Sequence, residues 1–178
     1  MTTNVDLTNR ALALSGTRSQ ITGMTDGSTE ALYANLLYNE FRDFMLREGD
    51  YDWALKGASV VALPAPALPW VYAYVYPSDA IRIRTLITPT DNPLDPQPVE
   101  WNVVSGGSGS SIVTKTAVVT ILYTFAQAEN EWDAIFTDSF VRLLASGLIF
   151  ALENRIEASK ESMNAALAFA QIANMRDS

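Results

Sequence analysis

The chain contains no cysteine and no histidine. Their absence removes disulfides, thiolate nucleophiles, imidazole bases, Cys/His zinc sites and every Ser-His-Asp arrangement. Any catalysis must rest on carboxylates, lysine, tyrosine or serine. Charge is sparse as well: Asp, Glu, Lys and Arg make up 18% of the 178 residues, while the apolar share is 48%. An average globular protein has about 25% charged residues and a similar apolar fraction, so much of this surface is uncharged. Such surface is the kind that ends up in subunit contacts. Basic residues are the scarcer sign, 12 against 20 acidic, for a net charge of −8. Phosphate backbones are held mainly by Lys and Arg, so an acidic chain is not built to wrap nucleic acid, although it can form a wall that DNA passes without sticking. Long apolar runs are missing too. Residues 143–152 are interrupted by Ser and Gly and fall short of the roughly 20 residues that span a bilayer. The opening MTTNVDLTNR lacks the basic start and apolar stretch of a signal peptide. The expectation is a chain not held in a membrane and not secreted by a visible signal. Its length suffices for one well-buried domain, or one carrying a subdomain, with no need of a disulfide or metal.

What is present divides into helix, strand and helix thirds. Asn4 and Asp6 precede an apolar set at Leu7, Ala11, Leu12 and Leu14, with Gly16 as a stop, which predicts a short first helix. Ser28 caps a second helix, ended by Gly49, in which Leu32, Tyr33, Leu36, Leu37, Phe41, Phe44 and Met45 recur at spacings of three and four and predict one buried face. In the middle third, residues 60–63 favour strand before the proline-rich PAPALP. Tyr72, Tyr74 and Tyr76 alternate with Ala73 and Val75, and Ile81 and Ile83 with Arg82 and Arg84, as in two-faced strands. Residues 88–98 form a proline-rich excursion. Residues 99–104 and 111–115 flank SGGSGSS, a flexible hairpin connection, and residues 117–125 carry the strongest strand signal. Asn130 is the expected cap of an apolar helix through Leu148, a bend is expected near Asn154, and a last amphipathic helix covers 156–175 with Glu157, Lys160 and Glu161 opposite its apolar residues. The fold class is α+β: a helical bundle, made of an N-terminal helix pair (1–55) and a C-terminal helix pair (127–178), with a small antiparallel β-domain (56–126) inserted between them.

Few constellations suggest chemistry. Asp50 and Asp52 flank Tyr51 on a segment after Gly49 and could form an acid/base or cation site, but Asp is a common turn residue and turn chemistry is the better account. Asp91 and Asp95 among prolines read the same way. Glu129, Glu131 and Asp133 straddle a helix start, where acids suit the positive end of the dipole. SGGSGSS lacks the lysine and following helix of a phosphate loop. Trp70, Tyr72, Tyr74 and Tyr76 make an aromatic stripe near Arg82 and Arg84 that fits core packing, a subunit contact or base stacking. No catalytic residue, cofactor or metal is assigned.

The order of these landmarks resembles the head–tail adaptor proteins of short-tailed bacteriophages, the tail tubular protein A type. The resemblance rests on NRALALSG (Asn9, Leu12, Gly16), on the long second helix ending before Trp53, and on PWVYAYVYPSDAIRI, with Trp70, Tyr72, Tyr74, Tyr76, Pro77 and Asp79 in place. It covers most of the chain by order of elements, and residues 88–111 have no counterpart. It implies a structural protein, not an enzyme, that forms a homo-oligomeric ring, usually of twelve copies. The ring joins the portal protein to the tail tube or nozzle protein, and DNA passes through its channel without specific binding. The location implied is the virion neck, after assembly in the bacterial host cytoplasm. The final helix is the candidate portal-facing element. Interface candidates are Trp70, Tyr72, Tyr74, Tyr76, Ile156, Lys160, Met163, Leu167, Met175 and Arg176. The free chain is expected to be a monomer or weak oligomer. Competing readings are a neck or tail-completion protein of a long-tailed phage, a carboxylate-based virion hydrolase resting on Asp50 and Asp52, and a small regulatory binding module, which the lack of a basic helix disfavours for DNA.

Overall fold

The computed structural model describes residues 2–89, 99–106, 109–153 and 156–177, with side chains to residue 172. Asp91, Asp95 and the expected bend at Asn154 lie outside the described residues. The fold is mixed α and β, with four α-helices and two antiparallel sheets among the described residues. It divides into two compact units, one of Met1–Ala54 with Ala126–Ser178 and one of Leu55–Phe125.

In the helical unit, α1 (Asn4–Ser15) opens on a capping box: the Thr3 hydroxyl accepts the Asp6 N–H while the Asp6 carboxylate accepts the Thr3 N–H. Thr3 therefore holds the cap expected of Asn4. Gly16, at φ 94°, ends the helix in the left-handed conformation that glycine adopts without strain. Asn9 brackets the backbone of Ile21, donating to its carbonyl at 3.0 Å and accepting its N–H at 2.8 Å. Helix α2 (Thr29–Glu48) is capped by Ser28, whose hydroxyl accepts the Ala31 N–H, and ends at Gly49 as the spacing predicts. A Cβ at position 49 would strike the Tyr51 ring.

Helix α3 (Ala134–Leu148) starts later than the expected cap at Asn130. Residues Glu129–Glu131 form a 3₁₀ turn, and Asp133 accepts the N–H groups of Ile135 and Phe136 at 2.7 and 3.2 Å. The later start leaves Trp132 ahead of the helix. Its indole packs edge-on against Phe136 and Phe140, each at 5.1 Å, and donates to the Gln127 carbonyl at 2.9 Å. A π turn, Ile149–Glu153, extends α3, so the helical stretch is longer than its Ser and Gly interruptions suggest. The 20-residue stretch Ala134–Glu153 is long and apolar enough to cross a membrane by length and composition, and more than half of it is buried. It is the central helix of its unit, packed against α1, α2 and α4 (Ile156–Asp177). Leu7, Leu12, Phe136, Phe140, Leu144 and Leu148 are fully buried there, each contributing about 1.5–3 kcal/mol relative to exposure.

The other unit contains β1 (Leu55–Ser59), β2 (Ala62–Leu63), β3 (Tyr72–Val75), β4 (Ala80–Ile87), β5 (Trp101–Gly106), β6 (Gly109–Thr114) and β7 (Thr120–Phe125). A small antiparallel β-domain, read economically as one sheet, is the expectation from the sequence. Two sheets form instead, in the orders β1-β7-β4 and β2-β3-β6-β5. The core draws on both: Tyr74 and Ile112 from one, Ile83, Leu86, Ile121 and Tyr123 from the other, with Val118 between β6 and β7. Strand β1 reads LKGAS, with no β-branched or aromatic residue, which is why periodicity missed it. The hairpin is tighter than a seven-residue flexible connection, because the β5–β6 ladder runs as far as Gly106 opposite Gly109.

Candidate functional site

Helix α2 buries only part of the face its spacing predicts: Met45 is buried and Tyr33, Leu37 and Phe41 are half-buried. Ala31, Ala34, Tyr38, Met45 and Leu46 are buried, whereas Leu32, Leu36 and Phe44 are 58%, 60% and 43% exposed. The small alanines turn inward, and Tyr38 reaches Phe140 at 4.9 Å with its ring edge-on. Its hydroxyl donates to Glu129 at 3.2 Å, and burial, then the Glu129 charge, raises the Tyr38 phenol far above its ordinary value. Farther along, Gly147 of α3 leaves space occupied by Leu37 and Phe41; a Cβ there would lie 2.9 and 2.7 Å from them. The helix thus meets α3 through Tyr38, Leu37 and Phe41, while Leu32, Leu36 and Phe44 stay outside.

Helix α4 repeats this pattern. Its inward face is small and hydroxylic: Ser159 donates to the Ser146 carbonyl and Ser162 to the Arg142 carbonyl, both at 2.9 Å, and Ala166 is buried. The Arg142 guanidinium lies 4.9 Å from the Phe169 ring centre. Ile156, Met163 and Leu167, singled out in the sequence, are exposed, as is Ile172, which was not. Lys160 is exposed and pairs with Glu157 at 3.1 Å. Met175 and Arg176 lie within the helix, with side chains outside the described residues. Between the end of α2 and α4 lies a mainly apolar notch of about 300 Å³, lined by Phe44, Met45, Glu48, Tyr51, Leu167 and Ala170.

The aromatic stripe is not one surface. Tyr74 is 5% exposed and belongs to the core, where its hydroxyl accepts the Val118 N–H at 3.0 Å, so it is unavailable for contact with another molecule. This corrects its inclusion among interface candidates. Tyr72 is exposed, its ring nearly parallel to that of Tyr74 at 6.5 Å, while Trp70 and Tyr76 are half-buried. Lys115 sits 5.8 Å from the Trp70 ring centre and pairs with Glu100 at 2.8 Å. Arg84 donates to the Thr124 hydroxyl at 2.8 Å, which holds that guanidinium to β7.

One group of titratable side chains is not visible in the sequence, because its members are far apart along the chain. Asp79 accepts from Lys56 at 2.6 Å and from the Tyr123 hydroxyl at 2.9 Å. Lys56 also lies 5.3 Å from the Phe125 ring centre. The hydrogen bond from Lys56 lowers the Asp79 carboxyl, and the same bond raises Lys56. Burial, then the bond to Asp79, raises the Tyr123 phenol. Each shift favours a charged pair beside a protonated phenol, the states of a clamp joining β1, β7 and the turn before β4; a general base would need Lys56 or Tyr123 shifted the other way. Asp50 and Asp52 are both exposed with buried Tyr51 between them, and Asp52 opens a 3₁₀ turn. That placement is turn structure.

The surfaces most in need of explanation are therefore the uncovered apolar faces of α2 and α4. No family model matches the chain, and no curated protein is similar enough to it to count as a relative.

Proposed function

We propose that this chain is a structural head-to-tail adaptor of a tailed phage: a helical bundle with an inserted β-domain that assembles into a ring between portal and tail tube or nozzle. In this reading it is not an enzyme, and it works in the virion neck after assembly in the host cytoplasm. One observation carries the reading beyond the resemblance. Leu32, Leu36 and Phe44 on α2, with Ile156, Met163 and Leu167 on α4, are large apolar side chains left open to solvent in a chain that is only 18% charged. Isolated exposed apolar residues are ordinary, but rows along helices are characteristic of surfaces that acquire neighbours. Contacts between unlike faces of identical copies form a ring when the rotation between copies closes, and a closed ring covers such rows without open-ended aggregation. A net charge of −8 suits a channel wall that lets DNA slide.

Electron microscopy of the purified chain mixed with portal tests this. Rings seated on portal are expected; free portal beside unassembled chain would reject the reading. Truncation after Asn154 removes α4 and is expected to abolish docking while the β-domain stays folded. Normal docking of that truncation would exclude α4 as the portal-facing element.

A further inference from the structure

Strand β5 is an outer strand: among the described residues, β6 pairs on one side and no strand lies on the other. The other edges of these two sheets carry features that discourage pairing. Strand β2 has two residues and runs into Pro64, Pro66 and Pro69. Register shifts between Ala80 and Arg82 and between Ile83 and Thr85 interrupt β4, and β1 carries Lys56. Short edges, prolines, irregularities and lysines are the means by which proteins keep sheet edges from joining. Strand β5 has none of them. It is six residues, Trp-Asn-Val-Val-Ser-Gly, in unbroken register with β6, and residues 102–106 are exposed.

The hairpin closes with Gly106 opposite Gly109. In antiparallel alternation this turns the backbone groups of Asn102, Val104 and Gly106 toward β6 and those of Trp101, Val103 and Ser105 outward. One outward donor, the Val103 N–H, is taken by the side-chain oxygen of Asn102 at 2.8 Å. That oxygen holds the place of a strand carbonyl and needs only a rotation to release it.

We propose that two copies of this chain join β5 to β5, antiparallel about Val103, making their two four-stranded sheets continuous. Charge argues for a second copy as the occupant. Each copy carries −8, yet residues 101–114 contain no charged side chain, so like-charged molecules meet here without opposing carboxylates. The outward groups are self-complementary: Val103 faces Val103 of the other copy, and Trp101 faces Ser105. The Asn102 oxygen yields the Val103 N–H to the facing carbonyl. The contact is isologous and stops at two copies. It does not depend on the adaptor reading, whose ring contacts are of another kind.

Sedimentation of the full chain from low to high micromolar concentration tests the pairing. A concentration-dependent dimer is expected, and Val103→Pro is expected to abolish it, because proline there deletes an outward donor and leaves the β5–β6 bonds intact. Val103→Cys in this cysteine-free chain is expected to form an intermolecular disulfide under mild oxidation, since directly paired strand residues lie about 5.5 Å apart at Cα. Val75→Cys, equally exposed on β3, is the control. A wild-type chain that stays monomeric, or Val103→Cys that cross-links no faster than Val75→Cys, overturns the proposal. So does a dimer or larger assembly that persists in Val103→Pro, which would place association on the helices. Should Val103→Pro not fold, hydrogen exchange of the wild type decides: Trp101, Val103 and Ser105 amides must slow as concentration rises, and concentration-independent exchange refutes the pairing.

Discussion

Asp26 sits in the connection between α1 and α2, where one carboxylate organises residues on both sides. One oxygen accepts the Thr22 N–H at 2.8 Å and its hydroxyl at 3.4 Å; the other accepts the Ser28 N–H at 3.0 Å and its hydroxyl at 2.6 Å. The Ser28 hydroxyl is the largest cause of a carboxyl lowered to about 2. A depressed acid stabilises the fold above its ordinary pKa and ceases to do so as pH falls through its folded value. Asp26→Asn is therefore expected to lower the denaturant midpoint at neutral pH, with the difference from wild type closing as pH falls from about 4 toward about 2. A difference that stayed constant over that range would assign the effect to something other than the charge. The bond from Asp26 to the α2 cap was not legible in the sequence, since several side chains there could hold the same hydroxyl.

At the scale of elements, short-range chemistry placed the ends of helices well and their faces less well. Ser28, Gly16 and Gly49 act where the sequence puts them, because a cap or stop depends on residues within one turn. Asp133 rather than Asn130 begins α3 because the Trp132 ring belongs against Phe136 and Phe140, a demand set by packing. Asp133→Ala is expected to cost about 1 kcal/mol in chemical denaturation, and Asn130→Ala almost nothing. At the α2–α3 approach, Gly147→Ala gains up to about 1 kcal/mol of helix propensity but pushes into Leu37 and Phe41, at about 1–3 kcal/mol for overpacking. A net loss of about 1 kcal/mol is expected for alanine and about 3 kcal/mol for Gly147→Leu, read from denaturant midpoints. Equal stability of glycine and leucine variants would mean the helices separate freely there.

For the whole molecule, each of the two compact units has a core built from its own residues. Phe140→Ala removes a fully buried ring and is expected to destabilise the helical unit by about 3–5 kcal/mol, opening amides of α1 and α3 while β7 amides keep their protection. Ile121→Ala, equally buried in the sheet core, is expected to cost about 2–5 kcal/mol and to give the reverse pattern. Residue-resolved hydrogen exchange distinguishes them, and a uniform loss of protection in both variants would show one cooperative unit. The low charge that marks the chain as a candidate for assembly is a whole-molecule property as well, visible in composition before any element is placed.

The residue content alone determined which chemistry this chain cannot do with histidine or cysteine, where most helices begin and end, and that Ile81 and Ile83 face inward from their strand. Tertiary structure alone decided that Leu32 and Leu36 stay outside while Ala31 and Ala34 turn in, that Tyr74 is core while Tyr72 is surface, and that Lys56, Asp79 and Tyr123 meet. The physical reason is range. Caps, turns and alternation are settled by neighbours a few residues away, whereas the burial of a helix face depends on what distant segment comes to cover it. On α2 the two alanines are buried and the two leucines are exposed, and no periodicity along a single helix records that.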